Sequence, residues 1–150
     1  MPLLVRYRFC QRFAVSAKRA FEWCTTFDPL DHKLMGDKGA ERHVTNVAKG
    51  TIILKDIFHT ATGTIEKEKL VQLYPDQLSW VSTHLAGPNK YSQFLYKISP
   101  EGEASILDFI GLHMDYQAKT GDESLAQKLC KEDAAAWKLL AKAMEEELGK

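Results

Sequence analysis

Apolar and charged residues alternate from the first turn of the chain. Val5, Tyr7, Phe9, Gln11 and Phe13 are interleaved with Arg6, Arg8, Cys10 and Arg12. This period of two predicts a strand over 3–13 with one apolar and one charged face. The period changes after Ser16, a good N-cap, to Ala17, Ala20, Phe21, Cys24 and Phe27, which is helical spacing. A second short helix is predicted from Asp28, with Asp28 as cap, Pro29 at the first helical position, Asp31 in the first turn and Gly36 as the stop. Six extended segments follow, over 41–48, 51–60, 63–74, 77–86, 90–99 and 103–116. Their breaks fall at Lys49-Gly50, Ala61-Thr62-Gly63, Tyr74-Pro75-Asp76, Ala86-Gly87-Pro88-Asn89 and Pro100-Glu101-Gly102. Connections this short join antiparallel strands, because parallel pairing needs long crossovers. The capping box Thr120-Gly121-Asp122-Glu123 opens a last helix with the stripe Leu125, Leu129, Trp137, Leu140, Met144 and Leu148. Continuous over 121–148 it would measure about 42 Å, and Lys131-Glu132-Asp133 is where a bend or break would fall.

The order strand, two helices, six strands, helix describes an α+β domain: a seven-stranded antiparallel sheet (β-α-α-β6-α) whose large apolar partner is the C-terminal helix. Long twisted strands curve, and a curved sheet gripping one helix buries both apolar faces. Side chains alone fill such a space poorly, so a cavity opening at one end is expected. No repeat, low-complexity tract or Pro/Gly/Ser-rich linker interrupts the chain, so 1–150 reads as a single domain.

Composition narrows the function classes. The chain has 150 residues, 45% hydrophobic, with 20 basic and 20 acidic residues and no net charge. Binding to nucleic acid or anionic membrane driven by charge calls for a basic excess, which is missing. The charges are distributed as 12 basic against 8 acidic residues in 1–75 and the reverse in 76–150, as expected of two halves lying side by side. Cys10, Cys24 and Cys130 are odd in number and far apart, with no C-x-x-C pair, so they read as buried thiols rather than disulfide or zinc ligands. No window holds the roughly 20 apolar residues of a membrane helix, and no secretory leader is visible. A cytoplasmic protein is expected, without metal, cofactor, nucleic-acid partner or integral membrane segment.

Polar groups on apolar surfaces are the candidates for chemistry. Asp133 sits on the inward stripe of the last helix, where a carboxylate of raised pKa suits acid or base work; its alternative role is to cap a new helical segment. His84 shares a strand face with Leu78, Trp80 and Ser82, and His113 one with Leu107 and Phe109. Either imidazole could move a proton near neutral pH, although a lone strand histidine is expected at a rim or surface. Tyr96 completes this set, and His32 is expected to face solvent. Glu66 and Glu68 alternate with Lys67 and Lys69 in a strand whose parity is ambiguous, and they read as a solvated row paired with the neighbouring strand. Arg6, Arg8 and Arg12 are expected on the convex exterior, paired with Asp108 or Asp115. No G-x-S-x-G, glycine-rich phosphate loop or protease-like cysteine is present, so nucleophilic catalysis has no support.

The stretch AVSAKRAFEWCTTFDPLDHKLMG (14–36) and the ending AAAWKLLAKAMEEELGK (134–150), in this order of elements, resemble the START/Bet v 1-like helix-grip superfamily (SRPBCC), which includes polyketide cyclase and dehydrase-like proteins. The likeness is one of pattern and spans the whole chain. Two departures stand out. Asn46-Val47-Ala48-Lys49-Gly50-Thr51 replaces the glycine-rich loop of the Bet v 1 and plant hormone-receptor branch, and no Rieske-type Cys/His spacing is present. The resemblance implies that a hydrophobic or amphipathic small molecule, such as a lipid, isoprenoid, polyketide or aromatic metabolite, binds between sheet and C-terminal helix. It would lie against Phe9, Phe58, Trp80, Phe94, Tyr96 and Phe109 of the strands, Leu34 of the second helix, and Leu129, Trp137 and Leu140 of the last. A non-catalytic binding module is the leading expectation. The alternatives are an aromatase/cyclase-like enzyme using His84, His113, Asp133 and Tyr96, or a co-chaperone-like interaction domain. The latter would use an apolar convex patch of Ile106, Ile110, Leu112 and Met114, which could also mediate a homodimer.

Overall fold

The computed structural model describes residues 2–27, 40–117 and 123–149. Strand β1 (Leu3–Phe13) leads into helix α1 (Ala17–Cys24). Strands β2 (Glu41–Ala48), β3 (Thr51–Thr60), β4 (Gly63–Tyr74), β5 (Ser79–Ala86), β6 (Gln93–Glu101) and β7 (Ala104–Asp115) follow, and helix α2 (Glu123–Leu148) closes the chain. The seven strands form one sheet in the order β1-β7-β6-β5-β4-β3-β2, every pair antiparallel. The meander therefore runs from β2 to β7, and β1 adds beside the last strand. The fold is the α+β helix-grip architecture expected from the order of periodicities. The expected helix over 28–36, with His32 and Leu34, lies outside the described residues, as do Thr120, Gly121 and Asp122 of the capping box.

The alternation in β1 holds: Val5, Tyr7 and Phe13 are buried, while Arg6, Arg8 and Arg12 are exposed. Outside, Arg8 pairs with Asp108 at 3.0 Å and Arg12 with Glu101 at 3.1 Å. Exposed charge pairs of this kind add little to stability. Cys10 shares that outer face and is exposed, so it is not a buried thiol; only Cys24 is buried. Ile106, Ile110, Leu112 and Met114 lie on the outer face of β7 but are half-buried rather than an open patch. Across the β1–β7 ladder they stand opposite Arg12, Arg8, Arg6 and Leu4.

Several boundaries differ from the sequence expectation for local reasons. Pro75–Gln77 forms a turn of 3₁₀ helix, so β5 begins at Ser79. The chain turns back on itself before β6 through bonds from Tyr91 N–H to His84 C=O (2.7 Å) and from His84 N–H to Ser92 C=O (2.8 Å). Pro100 stays inside β6, and the reversal is a two-residue turn, Gly102-Glu103, with Gly102 at φ 62°. Phe27 lies beyond the end of α1, with φ 52°, yet remains in the core. Helix α2 runs unbroken through Lys131-Glu132-Asp133.

The core is denser toward the C-terminal half of α2. Phe13, Leu107, Ile98, Leu54, Val71 and Met144 are essentially inaccessible. Three bonds tie this end of the helix to the start of the chain: Ala14 N–H donates to Glu145 (2.6 Å), the Arg19 guanidinium to Leu148 C=O (2.9 Å), and the Trp23 indole to Glu147. The cavity lies against the middle of α2, from Leu129 to Leu140.

Candidate functional site

The parity of β3 and β4 decides what the sheet presents inward. On β3, Ile52, Leu54 and Asp56 are buried, and Phe58 continues the same face into the cavity wall. On β4 the inward residues are Lys67, Lys69 and Val71, while Glu66 is exposed and pairs with Lys55 of the outer face at 3.5 Å. The Glu66/Glu68 row is therefore outward, as expected, and the two lysines alternating with it are interior.

Asp56 is fully buried and held by two cations. Arg42 Nε lies 2.7 Å from its Oδ1 and Arg42 Nη2 3.2 Å from Oδ2, a forked pair, and Lys69 Nζ lies 3.0 Å from Oδ2. Burial lowers the pKa of Lys69, opposed by the charge of Asp56. In register, Asp56 stands opposite Arg42 on one side and Lys67 on the other. Its second cation is nevertheless the diagonal neighbour Lys69, and the Lys67 ammonium sits over the Phe58 ring, 5.4 Å from its centroid.

The cavity between sheet and helix has a volume of about 460 Å³, within the range of about 300–1,000 Å³ usual for small-molecule sites. Its apolar wall is mostly aromatic: Trp23, Phe27, Phe58, Trp80, Phe94, Tyr96, Phe109 and Trp137, with Leu54, Leu129 and Leu140. Trp80 and Tyr96, opposite each other in the β5–β6 ladder, stack face to face at 4.6 Å between centroids and 5° between planes. Phe21 buttresses Trp80 edge-on at 5.8 Å. Of the expected wall residues, Phe58, Trp80, Phe94, Tyr96, Phe109, Leu129, Trp137 and Leu140 line the cavity. Phe9 is one layer behind, stacked on Phe109 at 4.5 Å, because Phe109 on the neighbouring strand covers it. Leu34 is outside the described residues.

All four acid/base candidates line this one cavity. His84 is buried rather than at a rim, because Phe94 packs edge-on against it at 5.1 Å. Its Nδ1 lies 3.0 Å from Asn89 Oδ1; with that oxygen accepting, Nδ1 carries the proton. Burial, reinforced by the charges of Lys69 and Lys67, depresses its pKa to about 3. His113 is half-buried and also held below its ordinary pKa by burial; its Nε2 is 3.9 Å from Asp115. Tyr96 is pushed up by burial.

Asp133 points inward from the middle of the unbroken helix, so it is not a cap. Its carboxylate accepts the Tyr7 hydroxyl. Burial raises the Asp133 pKa and the Tyr7 hydrogen bond opposes that rise, while burial beside this carboxylate raises Tyr7. Tyr7 reaches Asp133 because its ring lies over Gly111, its partner in the β1–β7 register. A Cβ at that glycine would come within 2.5 Å of Tyr7 Cζ. No two of His84, His113, Asp133 and Tyr96 are hydrogen-bonded to each other. No grouping of three His, Cys, Asp or Glu side chains able to hold a metal occurs among the described residues, and none of the described helices is long and apolar enough to cross a membrane.

The residues that sequence reasoning passed over are Arg42, Asp56, Lys67, Lys69 and Asn89. A signal existed for Asp56, which keeps the period-two face of Ile52, Leu54 and Phe58, an unusual place for a carboxylate.

The sequence matches no protein-family profile and no curated protein. Solved structures do resemble the fold. Ara h 8.0201 superposes with a TM-score of 0.76 at 10% identity, over 96% of this chain and 99% of that one. The Zhui aromatase/cyclase from Streptomyces sp. R1128 gives 0.71 at 10% identity, over 97% and 93%. The di-domain ARO/CYC StfQ from the steffimycin biosynthetic pathway gives 0.74 at 13% identity, over 98% of this chain and 52% of that one, so this chain spans about half of its length. At such identities the likeness is one of architecture: the chain shares the helix-grip fold of these structures.

Proposed function

We propose that this protein is a single-domain, non-catalytic carrier or receptor that encloses one hydrophobic or amphipathic small molecule between the curved sheet and α2. The observation that carries this reading is the cavity of about 460 Å³ walled by nine aromatic side chains, Tyr7 among them. The aromatic wall, stiffened by the Trp80–Tyr96 stack, favours an apolar, partly aromatic body, since rigid rings offer apolar area at low entropic cost. His84, Tyr96 and Asn89 supply polar tips for orientation within that wall. The aromatase/cyclase likeness of two structural neighbours bears on the same cavity. An enzyme of that kind would use His84, His113, Asp133 and Tyr96 on one substrate, but these groups make no mutual hydrogen bonds and Asp133 is already engaged by Tyr7. Binding without chemistry is therefore the reading that the geometry supports best.

The test is a titration of the purified protein with Nile red, a neutral planar fluorophore, followed by emission and by native mass spectrometry. One dye per chain, competed by other planar apolar compounds and weakened at least tenfold by Tyr96→Ala, is the expected result. Absence of saturable one-to-one binding would overturn the proposal.

A further inference from the structure

The cavity wall is not electrically neutral at every point. Arg42 and Lys69 share the buried Asp56, whereas Lys67, which stands opposite Asp56 in the ladder, has no carboxylate within 4 Å among the described residues. Its ammonium rests over Phe58. Its stem crosses Gly87, where a Cβ would lie 3.2 Å from Lys67 Cγ, so the missing side chain leaves the lysine its path. Lys67, Asn89 and His113 line both the main cavity and a smaller adjoining one of about 210 Å³. The ammonium thus stands where the aromatic chamber meets its polar neighbour.

Two carboxylates act on this point without touching it: Asp133 across the cavity on α2, which accepts the Tyr7 hydroxyl, and the buried Asp56. Glu132 beside Asp133 is exposed, and Asp115 lies 3.9 Å from His113. Resting on the reading of the cavity as a small-molecule site, we infer that its ligand is a monoanionic amphiphile whose carboxylate pairs with Lys67 while its apolar body lies against the aromatic wall that includes Trp80 and Tyr96. Of the three wall cations, Lys67 is the one without a carboxylate in contact among the described residues, and it offers a ligand one ion pair. A phosphate monoester, with nearly two negative charges, would bring an excess charge beside Asp133 and Glu132.

The matched probes 1-pyrenebutyrate and 1-pyrenebutanol share a planar body and differ in the head group. Titrated at pH 7 by pyrene and tryptophan emission, the acid should bind about tenfold tighter, the size expected of one charge-assisted hydrogen bond. In Lys67→Met the preference should fall below about twofold while pyrenebutanol binding is retained within a similar factor. Equal affinities in the unaltered protein, or an acid preference that survives Lys67→Met, would overturn the inference and leave the cavity reading intact. If neither probe binds the unaltered protein, both fail. Should Lys67→Met lose pyrenebutanol as well, Lys67→Gln replaces it under the same criteria.

Discussion

His84 sits in a wall that also holds two lysines, and its neutrality has a measurable consequence for stability. Its folded pKa of about 3 lies below the ordinary 6.5. Between these values the unfolded chain binds a proton that the native chain refuses, so stability falls as pH drops from about 6.5 toward 3 and is unaffected by His84 above that window. The slope approaches 1.4 kcal/mol per pH unit for one such group. His113, shifted the same way, adds to it, whereas Asp133, whose folded pKa is raised, opposes it at the acid end. The contribution of His84 is the difference between the protein and His84→Gln in urea unfolding from pH 7 to 4.5: the variant should lose distinctly less stability over that range. Parallel pH profiles would show that the imidazole is not held neutral. A fold-level resemblance cannot reveal this behaviour, because it depends on Asn89, Lys67 and Lys69 meeting His84 across a loop and two strands.

At the scale of elements, the buried triad Arg42–Asp56–Lys69 fastens β2 and β4 to β3. Ion pairs taken out of water return little net stability, but breaking one leaves charge stranded in the interior. Asp56→Ala should therefore cost about 3–5 kcal/mol in chemical denaturation, by the general magnitude for removing one partner of a buried pair. The triple replacement Arg42→Met, Asp56→Leu, Lys69→Met should regain most of that loss. If the triple variant were as unstable as Asp56→Ala, the triad would have a structural role beyond charge compensation. This region also marks where sequence reading stopped. The alternation of β1 and the stripe of α2 are strong because each has one clearly apolar face, and both were legible. In β4 both parities contain charges and apolar residues: Lys67 and Lys69 precede Val71 on one face, as Glu66 and Glu68 precede Leu70 on the other. Only the ladder, which sets Asp56 between Arg42 and the β4 lysines, shows which face is inside. His84 reads as a rim residue in sequence for a related reason, since its burial comes from Phe94 on the next strand and Asn89 in the connecting loop.

For the molecule as a whole, the absence of net charge and the aromatic interior belong to one design: a surface bearing charge pairs around a largely aromatic chamber. All three tryptophans of the chain, Trp23, Trp80 and Trp137, lie on the chamber wall. A ligand in the chamber should therefore alter the tryptophan emission. The same ligand stabilises the native state by mass action, by about 2.7 kcal/mol at a concentration of 100 times its Kd. For a chain of this length each kcal/mol raises Tm by about 2–4 °C, so a shift of about 5–11 °C is expected. Pyrenebutanol at saturation should produce both effects together, with the midpoint of tryptophan quenching matching the Kd that accounts for the Tm shift. Trp80→Phe should remove part of the quenching while retaining most of the Tm shift, because a phenyl ring preserves the stack on Tyr96. Quenching without a Tm shift would place the probe on the surface or on unfolded chain. A shift without quenching would place it away from the helix-grip chamber, contrary to the site assigned to it.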